Sequence, residues 1–301
     1  MPPRGAVVFE KHYQAIFGDR WAKLRECLKA PVQHVARLNG FARDEALTYL
    51  PDDAKPVQGL PDCFVAPHFE PPQPMAESGL MPYYLMDGAS IFPALALDVE
   101  EGDCVLDMCA APGGKSLILA EHLGDRGLLT SNDPSAARRA RLGRVLREYI
   151  PAHIHAACVQ VTGHDGAKWN RFEQNAFDKI LLDAPCSSDR QHVQHVLEES
   201  KQLKEWSGSR IKQNAKRQED MLVAAIDIVR VGGRIVYSTC ALSGYENDRV
   251  IHRVLKRRKD QIKVVQPQEP VVGDKTKYGV HILPDSTQWG PIFYAVLERV
   301  A

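Results

Sequence analysis

No Cys-x-x-Cys pair occurs anywhere in the 301 residues, and the seven cysteines are an odd number. Both facts argue against a structural zinc site and a disulfide framework, and for a reducing compartment. No apolar run approaches the roughly 20 residues needed to span a bilayer. The N-terminus, Met1-Pro2-Pro3-Arg4-Gly5, has no apolar signal core and no Arg/Ser-rich presequence. An excess of either charge is missing too: 38 Lys+Arg balance 38 Asp+Glu. A chain that holds nucleic acid by bulk electrostatics is usually clearly basic, so any such contact here has to be local or shared with a partner. There is no internal repeat and no low-complexity tract.

What is present divides into two regions. Near the start, Phe9, Tyr13, Ile16, Phe17, Trp21, Leu24 and Leu28 recur at a spacing of three to four, which predicts an amphipathic helix or helix pair broken at Gly18. Prolines then accumulate from Pro51 to Pro82, a density that reads as a connector without regular structure. The expected division is residues 1–83 as a helical extension with a Pro-rich connector, and 84–301 as one larger domain. In that domain, strand-like apolar runs recur at 104–108, 127–130, 157–161, 179–182 and 234–237. Helical patterns lie between them, one over 135–149 and another from about 214 to 231, ending at Gly232-Gly233 as a helix C-cap. Alternating strands and helices predict an α/β fold with a mostly parallel, doubly wound sheet. Two late apolar stretches, 280–283 and 292–297, are placed to close it as a hairpin. Ligands of such sheets sit outside the carboxyl ends of the strands.

The first strand of this domain runs into Cys109-Ala110-Ala111-Pro112-Gly113-Gly114-Lys115-Ser116. Small residues and two glycines at the start of a helix let the backbone approach a ligand closely. A nucleotide-phosphate loop would need glycine where Cys109 stands, and a dinucleotide G-x-G-x-x-G is absent. The remaining candidate is a nucleoside cofactor without pyrophosphate, its ribose held by an acidic residue about 20 residues further on. Asp133 stands there, directly after the second strand, and S-adenosylmethionine fits the description.

Two cysteines end two later strands, one in Asp183-Ala184-Pro185-Cys186 and one in Ser238-Thr239-Cys240. Neighbouring strands are about 4.8 Å apart, so both thiols would face one crevice. The other cysteines, Cys27, Cys63, Cys104 and Cys158, read as small buried hydrophobes. Paired thiols beside a methyl donor suit cytosine, whose carbon 5 is a poor nucleophile. A thiolate adding to carbon 6 turns the ring into an enamine whose carbon 5 can attack a sulfonium methyl. Asp183 is placed to hydrogen-bond the ring and relay a proton, and Lys115 either orients Asp183 or lowers a thiol pKa.

Together, the stretch Leu106 to Lys115, the Asp183–Cys186 tetrapeptide and Tyr237-Ser238-Thr239-Cys240 resemble the Nop2/Sun family of RNA 5-methylcytosine methyltransferases, over roughly residues 84 to 300. The resemblance implies a Rossmann-like class I S-adenosylmethionine-dependent methyltransferase sheet with a short helical N-terminal extension. It implies Cys240 as nucleophile and Cys186 as the group that assists product release. It carries cofactor contacts to Cys109, Ala110, Ala111, Pro112, Gly113, Gly114, Lys115, Ser116, Asp133, Arg138, Asp165, Gly166 and Asp183, with no metal. Tyr83 to Ser90, Asn132-Asp133, Asp165 to Trp169, Ser188-Asp189-Arg190 and Trp289-Gly290-Pro291 look like the mitochondrial ribosomal-RNA branch. That branch implies RNA, chiefly rRNA, as substrate, a mitochondrial matrix location with cytoplasm as the alternative, and docking through a helical-repeat partner or the assembling ribosomal subunit. Transfer RNA, or a ribosome-assembly role acting mainly by binding, are the alternatives. Ser187-Ser188 departs from the family, where many members have glycine.

Basic clusters at 138–147, at Lys212, Lys216 and Arg217, and at 256–259 read mostly as solvated helix faces. The stretch from Arg190 to Arg210, poor in apolar residues, reads as a mobile loop bordering the RNA, with His192 and His195 exposed in it. A target cytosine must be unstacked, which favours a loop or partly folded RNA.

Overall fold

A computed structural model describes residues 4–171, 173–197, 207–266 and 271–301. The N-terminal apolar spacing forms two helices, α1 (Arg4–Phe17) and α2 (Arg20–Lys29), separated at Gly18. Their shared face (Phe9, Tyr13, Trp21, Leu24, Leu28) packs against Val193, Ile211, Leu242 and Leu283 of the larger domain. Tyr13 is fully buried there, its ring stacked on Trp21 with centroids 5.3 Å apart.

The Pro-rich segment contradicts the connector reading. It contributes β2 (Lys55–Pro56) and β3 (Cys63–Val65) to an antiparallel four-stranded sheet with β1 (His34–Leu38) and β4 (Tyr83–Asp87), in the order β2-β3-β1-β4. Pro56 is tolerated because β2 is a two-residue edge strand. Long-range pairing, Val35 with Met86 and Ala36 with Leu85, supplies the order that the local sequence does not. A short helix, α3 (Arg43–Leu47), covers this sheet around Ala36, Leu38, Ala46, Met75 and Tyr83. Arg37 reaches across from β1 to Glu121, a nearly buried ion pair that fixes the small sheet to the large one.

Beyond α4 (Ile91–Ala96), the α/β unit alternates as expected. Its first half runs β5 (Cys104–Asp107), α5 (Gly114–Leu123), β6 (Leu128–Asn132), α6 (Ala136–Tyr149), α7 (Ala152–Cys158), β7 (Val159–Thr162) and β8 (Phe177–Asp183). Then come α8 (Asp189–Leu197), α9 (Gly208–Ile228), β9 (Val229–Thr239), α10 (Asp248–Arg257), β10 (Ile262–Val265), β11 (Asp274–Lys275), β12 (Val280–Ile282), α11 (Pro284–Thr287) and β13 (Ile292–Arg299). The nine-stranded sheet has the order β11-β12-β13-β9-β8-β5-β6-β7, with β10 also on β13. From β7 to β9 it is parallel, and the expected late hairpin, β12 with β13, closes it antiparallel.

Side chains alternate between the two faces. Val105, Leu181 and Val236 face α5 and α6, while Leu106, Ile180, Leu182, Ile235 and Tyr237 face α9 and α10. The helix expected to end at Gly232-Gly233 stops earlier, at Ile228. The two glycines instead sit in an irregularity of β9, Gly232 at φ +83° and Gly233 where a Cβ would meet the Asp178 carbonyl at 2.7 Å.

Candidate active site

The carboxyl ends of β5, β8 and β9 converge on one crevice. After β5, the backbone turns through Gly113 at φ +123°, a conformation that favours glycine, and enters α5 at Gly114. Lys115, in the first turn of α5, thereby points across the top of the sheet and donates to Asp183 Oδ2 at 2.8 Å. Asp183 and Ser238 are register partners on β8 and β9, and the Ser238 hydroxyl donates to Asp183 Oδ1 at 2.8 Å. Both carboxylate oxygens are thus fixed, by an ammonium and by a hydroxyl. Burial pulls the Lys115 pKa down, but Asp183, Asp107 and Cys240 together raise it, so the ammonium stays charged.

Just beyond the strand ends, the two edge thiols meet: Cys186 Sγ and Cys240 Sγ are 2.9 Å apart. The hydrogen bond to Cys240, reinforced by burial, raises the Cys186 pKa well above that of an ordinary thiol. That environment favours the protonated form of Cys186. Ser187 and Ser188 do not open this pocket as a glycine would. Ser187 donates its backbone N–H to Glu246 and its hydroxyl to Asp189, and Ser188 holds its hydroxyl 3.8 Å from Cys240 Sγ. Glu246 is fully buried, and burial lifts its carboxyl to about 7 despite donors from Ser187, Asn214 and Gln218.

A cavity of about 260 Å³ opens beside this cluster. Its wall includes Cys109, Ala110, Ala111, Pro112, Gly114, Lys115 and Asp183, as expected from sequence. Six further residues line it beyond the expected contacts: Asp107, Tyr84, Leu85, Met86, Ser90 and Arg141. Asp107 carried a readable signal, a carboxylate ending an otherwise apolar strand. It is fully buried, accepts from the Ser116 hydroxyl at 2.7 Å, and burial raises its pKa to about 7.

Gly113, Ser116, Asp133, Arg138, Asp165 and Gly166 lie outside that wall. Ser116 is fully buried, its hydroxyl spent on Asp107 and Ser131. Arg138 ties α6 to the loop by donating to the Ala111 carbonyl at 2.7 Å. Its guanidinium is also 3.2 Å from Asp133 Oδ2, outside hydrogen-bonding geometry, so that buried oxygen has no hydrogen-bond donor among the described residues. Gly166 packs on Met108 and Met221, and Asp165 turns back on Ala167 and Lys168. Cys109 is a buried thiol whose pKa burial drives well up, so it lines the wall as a small, unreactive side chain.

These residues fit S-adenosylmethionine. Asp107 and Asp183 offer acceptors to an amino-acid ammonium, Arg141 a cation to its carboxylate, and Asp133 an acceptor to a ribose diol. Among the described residues no three His, Cys, Asp or Glu side chains group as metal ligands, and no helix is long and apolar enough to cross a membrane.

Beyond Ser90, which borders both, a second cavity of about 240 Å³ has Cys240 in its wall. The segment expected to be a loop there begins as α8, with Val193 buried and His192 half-buried; residues 198–206 and the His195 side chain lie outside the described residues. Two of the basic clusters are partly spent on ion pairs: Lys216 with Asp220, Arg257 with Glu219 and Arg258 with Asp227.

The sequence profile described as 16S rRNA methyltransferase RsmB/F matches residues 94–298. The chain belongs to the RsmB/F methyltransferase family. Among the curated relatives of this RsmB/F-family chain is the mouse 5-cytosine rRNA methyltransferase NSUN4, 34% identical over 97% of the chain and 87% of that protein. Another is the zebrafish mitochondrial tRNA (cytosine(34)-C(5))-methyltransferase, 30% identical over 97% of the chain and 86% of that protein. The fold matches the crystal structure of NSun6 from Pyrococcus horikoshii with SFG, with a TM-score of 0.78 and 20% identity over 99% of this chain and 98% of that one. The expected Rossmann-like methyltransferase sheet is therefore borne out.

Proposed function

We propose that the chain is an S-adenosylmethionine-dependent RNA cytosine-C5 methyltransferase acting on ribosomal RNA, with a covalent cysteine mechanism. The observation that carries this reading is the pair of thiols, 2.9 Å apart at the ends of adjacent parallel strands, beside a carboxylate fixed by Lys115 and Ser238. The cofactor, when bound, supplies an electrophilic methyl group.

Cys240 attacks carbon 6 of the cytosine. Its sulfur forms the new bond and the ring electrons move toward nitrogen 3. Asp183, held in one orientation, accepts a hydrogen bond from the exocyclic amine and relays the proton that the ring nitrogen gains. After carbon 5 is methylated, a base takes its proton, the bond from carbon 6 to Cys240 breaks, nitrogen 3 gives its proton back through Asp183 and the aromatic ring returns. The leaving thiolate departs toward the Cys186 S–H, whose raised pKa keeps a donor in place at that moment. Cofactor contacts are assigned to the 109–115 loop and Asp183 directly, and to Asp133 for the ribose. Arg138 and Ser116 act through Ala111 and Asp107.

The domain reading becomes residues 1–83 as an extension that packs onto the catalytic domain 84–301, with β4 completing the extension's sheet. Relatives named as rRNA methyltransferases support rRNA over tRNA. The mitochondrial relatives support a matrix location. The balanced charge supports delivery of the RNA by a helical-repeat partner or the assembling subunit.

The test is a trap. A Cys186→Ala protein incubated with S-adenosylmethionine and total RNA is expected to accumulate a denaturation-resistant protein–RNA adduct, and sequencing the attached RNA names the target. Wild-type methylation with no adduct from the variant would overturn the cysteine roles. Activity only in the presence of cell extract would assign delivery to a partner.

A further inference from the structure

The second cavity holds a buried guanidinium with one donor unused. Asp87, Ser90, Ser188, Arg190, Gln191 and Cys240 are in its wall. Arg190, only 9% exposed, donates Nη1 to the Gly290 carbonyl at 2.5 Å and Nη2 to the Ala30 carbonyl at 2.9 Å. These bonds fix the guanidinium between α2 and the loop before β13. Its Nε–H has no acceptor among the described residues. Burial lowers its pKa against the pull of the Asp87 carboxylate. A buried cation with an unused donor is costly, and native proteins keep few such groups. The Arg190 side chain lines the cavity, so a ligand oxygen brought there would meet its positive charge.

The wall also says which oxygen. Asp87 carries a carboxylate into the same cavity, its Oδ1 accepting from Ala89 and Gly290 backbone N–H groups at 2.8 and 3.1 Å. An anion such as a phosphate would meet that like charge, whereas a neutral carbonyl would not. Cytosine has one carbonyl, at carbon 2, and it is conjugated with the ring nitrogen that gains electron density when sulfur adds to carbon 6. A guanidinium there both seats the base and stabilises charge as it develops.

We propose that Arg190 binds the 2-carbonyl of the target cytosine in the cavity beside Cys240. This assignment rests on the methyltransferase reading and adds a binding residue to it. It makes Arg190 a reader of the pyrimidine ring, leaving the choice of cytosine over uracil to groups that face carbon 4.

A chemical double-mutant cycle tests it. The RNA captured by the trap is resynthesised with either cytidine or 2-thiocytidine at the target, sulfur being the weaker acceptor. Wild type and Arg190→Met are compared on both by kcat/KM, with S-adenosylhomocysteine binding and thermal melting as controls for the fold. Wild type is expected to lose on the order of 10-fold with the thio-RNA, and Arg190→Met on the order of 10–100-fold with cytidine but little more with the thio-RNA. A purely structural Arg190 would lower both RNAs by one common factor, so multiplying losses would overturn the proposal. If Arg190→Met fails to fold, Arg190→Lys runs the same cycle with the same two outcomes. Absence of methylation by the wild-type protein on either RNA, with cell extract supplied, overturns the methyltransferase reading itself.

Discussion

The buried carboxyl of Glu246 sets an expectation for how stability varies with pH. Its folded-state pKa stands at about 7, above the ordinary 4.5, chiefly because burial penalises the charged form. In the unfolded chain the group ionises from about pH 4.5 upward, while in the fold it stays protonated until about pH 7. Stability is therefore fully present below pH 4.5, is lost as pH rises to 7, and is flat beyond. At about 1.4 kcal/mol per pH unit the loss is about 3 kcal/mol. Glu246→Gln removes the titration and keeps an oxygen to accept from Ser187, while the Asn214 and Gln218 amides can reorient. The variant should gain about 1–3 kcal/mol over wild type at pH 8 and nothing at pH 4.5. Urea unfolding followed by tryptophan fluorescence at half-unit pH steps measures this. Asp107, also lifted to about 7, leaves a residual slope in both proteins. Parallel pH curves for the two, or a variant weaker at pH 8, would refute the reasoning.

Lys115→Met strips the ammonium from Asp183 and should lower single-turnover methylation on the order of 100–1000-fold; a loss below about threefold would mean that the ion pair does not serve the chemistry. Asp133→Ala should weaken S-adenosylhomocysteine binding by about 10–100-fold in calorimetric titration, and unchanged affinity would remove Asp133 from the cofactor site. Gly114→Ala would place a Cβ 2.6 Å from the Tyr84 ring and should cost about 1–3 kcal/mol of stability with a matching fall in cofactor affinity; an unaltered melting curve would show that Tyr84 moves freely.

The catalytic edge was legible because its chemistry is local in sequence. Asp183 and Cys186 are three residues apart, Ser238 and Cys240 two, and the α/β alternation alone makes their strands neighbours. Asp107 was within reach for the same reason and was passed over. What stayed hidden was non-local. The proline-dense stretch forms strands only because 34–38 and 83–87 pair across it. Arg190 gains its meaning from carbonyls at Ala30 and Gly290, far away in the chain. Gly232-Gly233 was misread because a helix cap and a kinked strand ask the same of glycine, freedom from a Cβ. Only the Asp178 carbonyl facing Gly233 distinguishes them.

Ser90 is in the wall of both cavities, which makes them neighbours. Two adjoining chambers can be filled together, so the kinetics should follow a ternary complex, with neither substrate leaving before the other arrives. The shared wall also sets a design rule for inhibitors. An adenosyl amino acid joined to a pyrimidine through a linker short enough to pass Ser90 would occupy both chambers at once. Tethering of that kind can raise affinity by about 10²–10⁴ over either half alone.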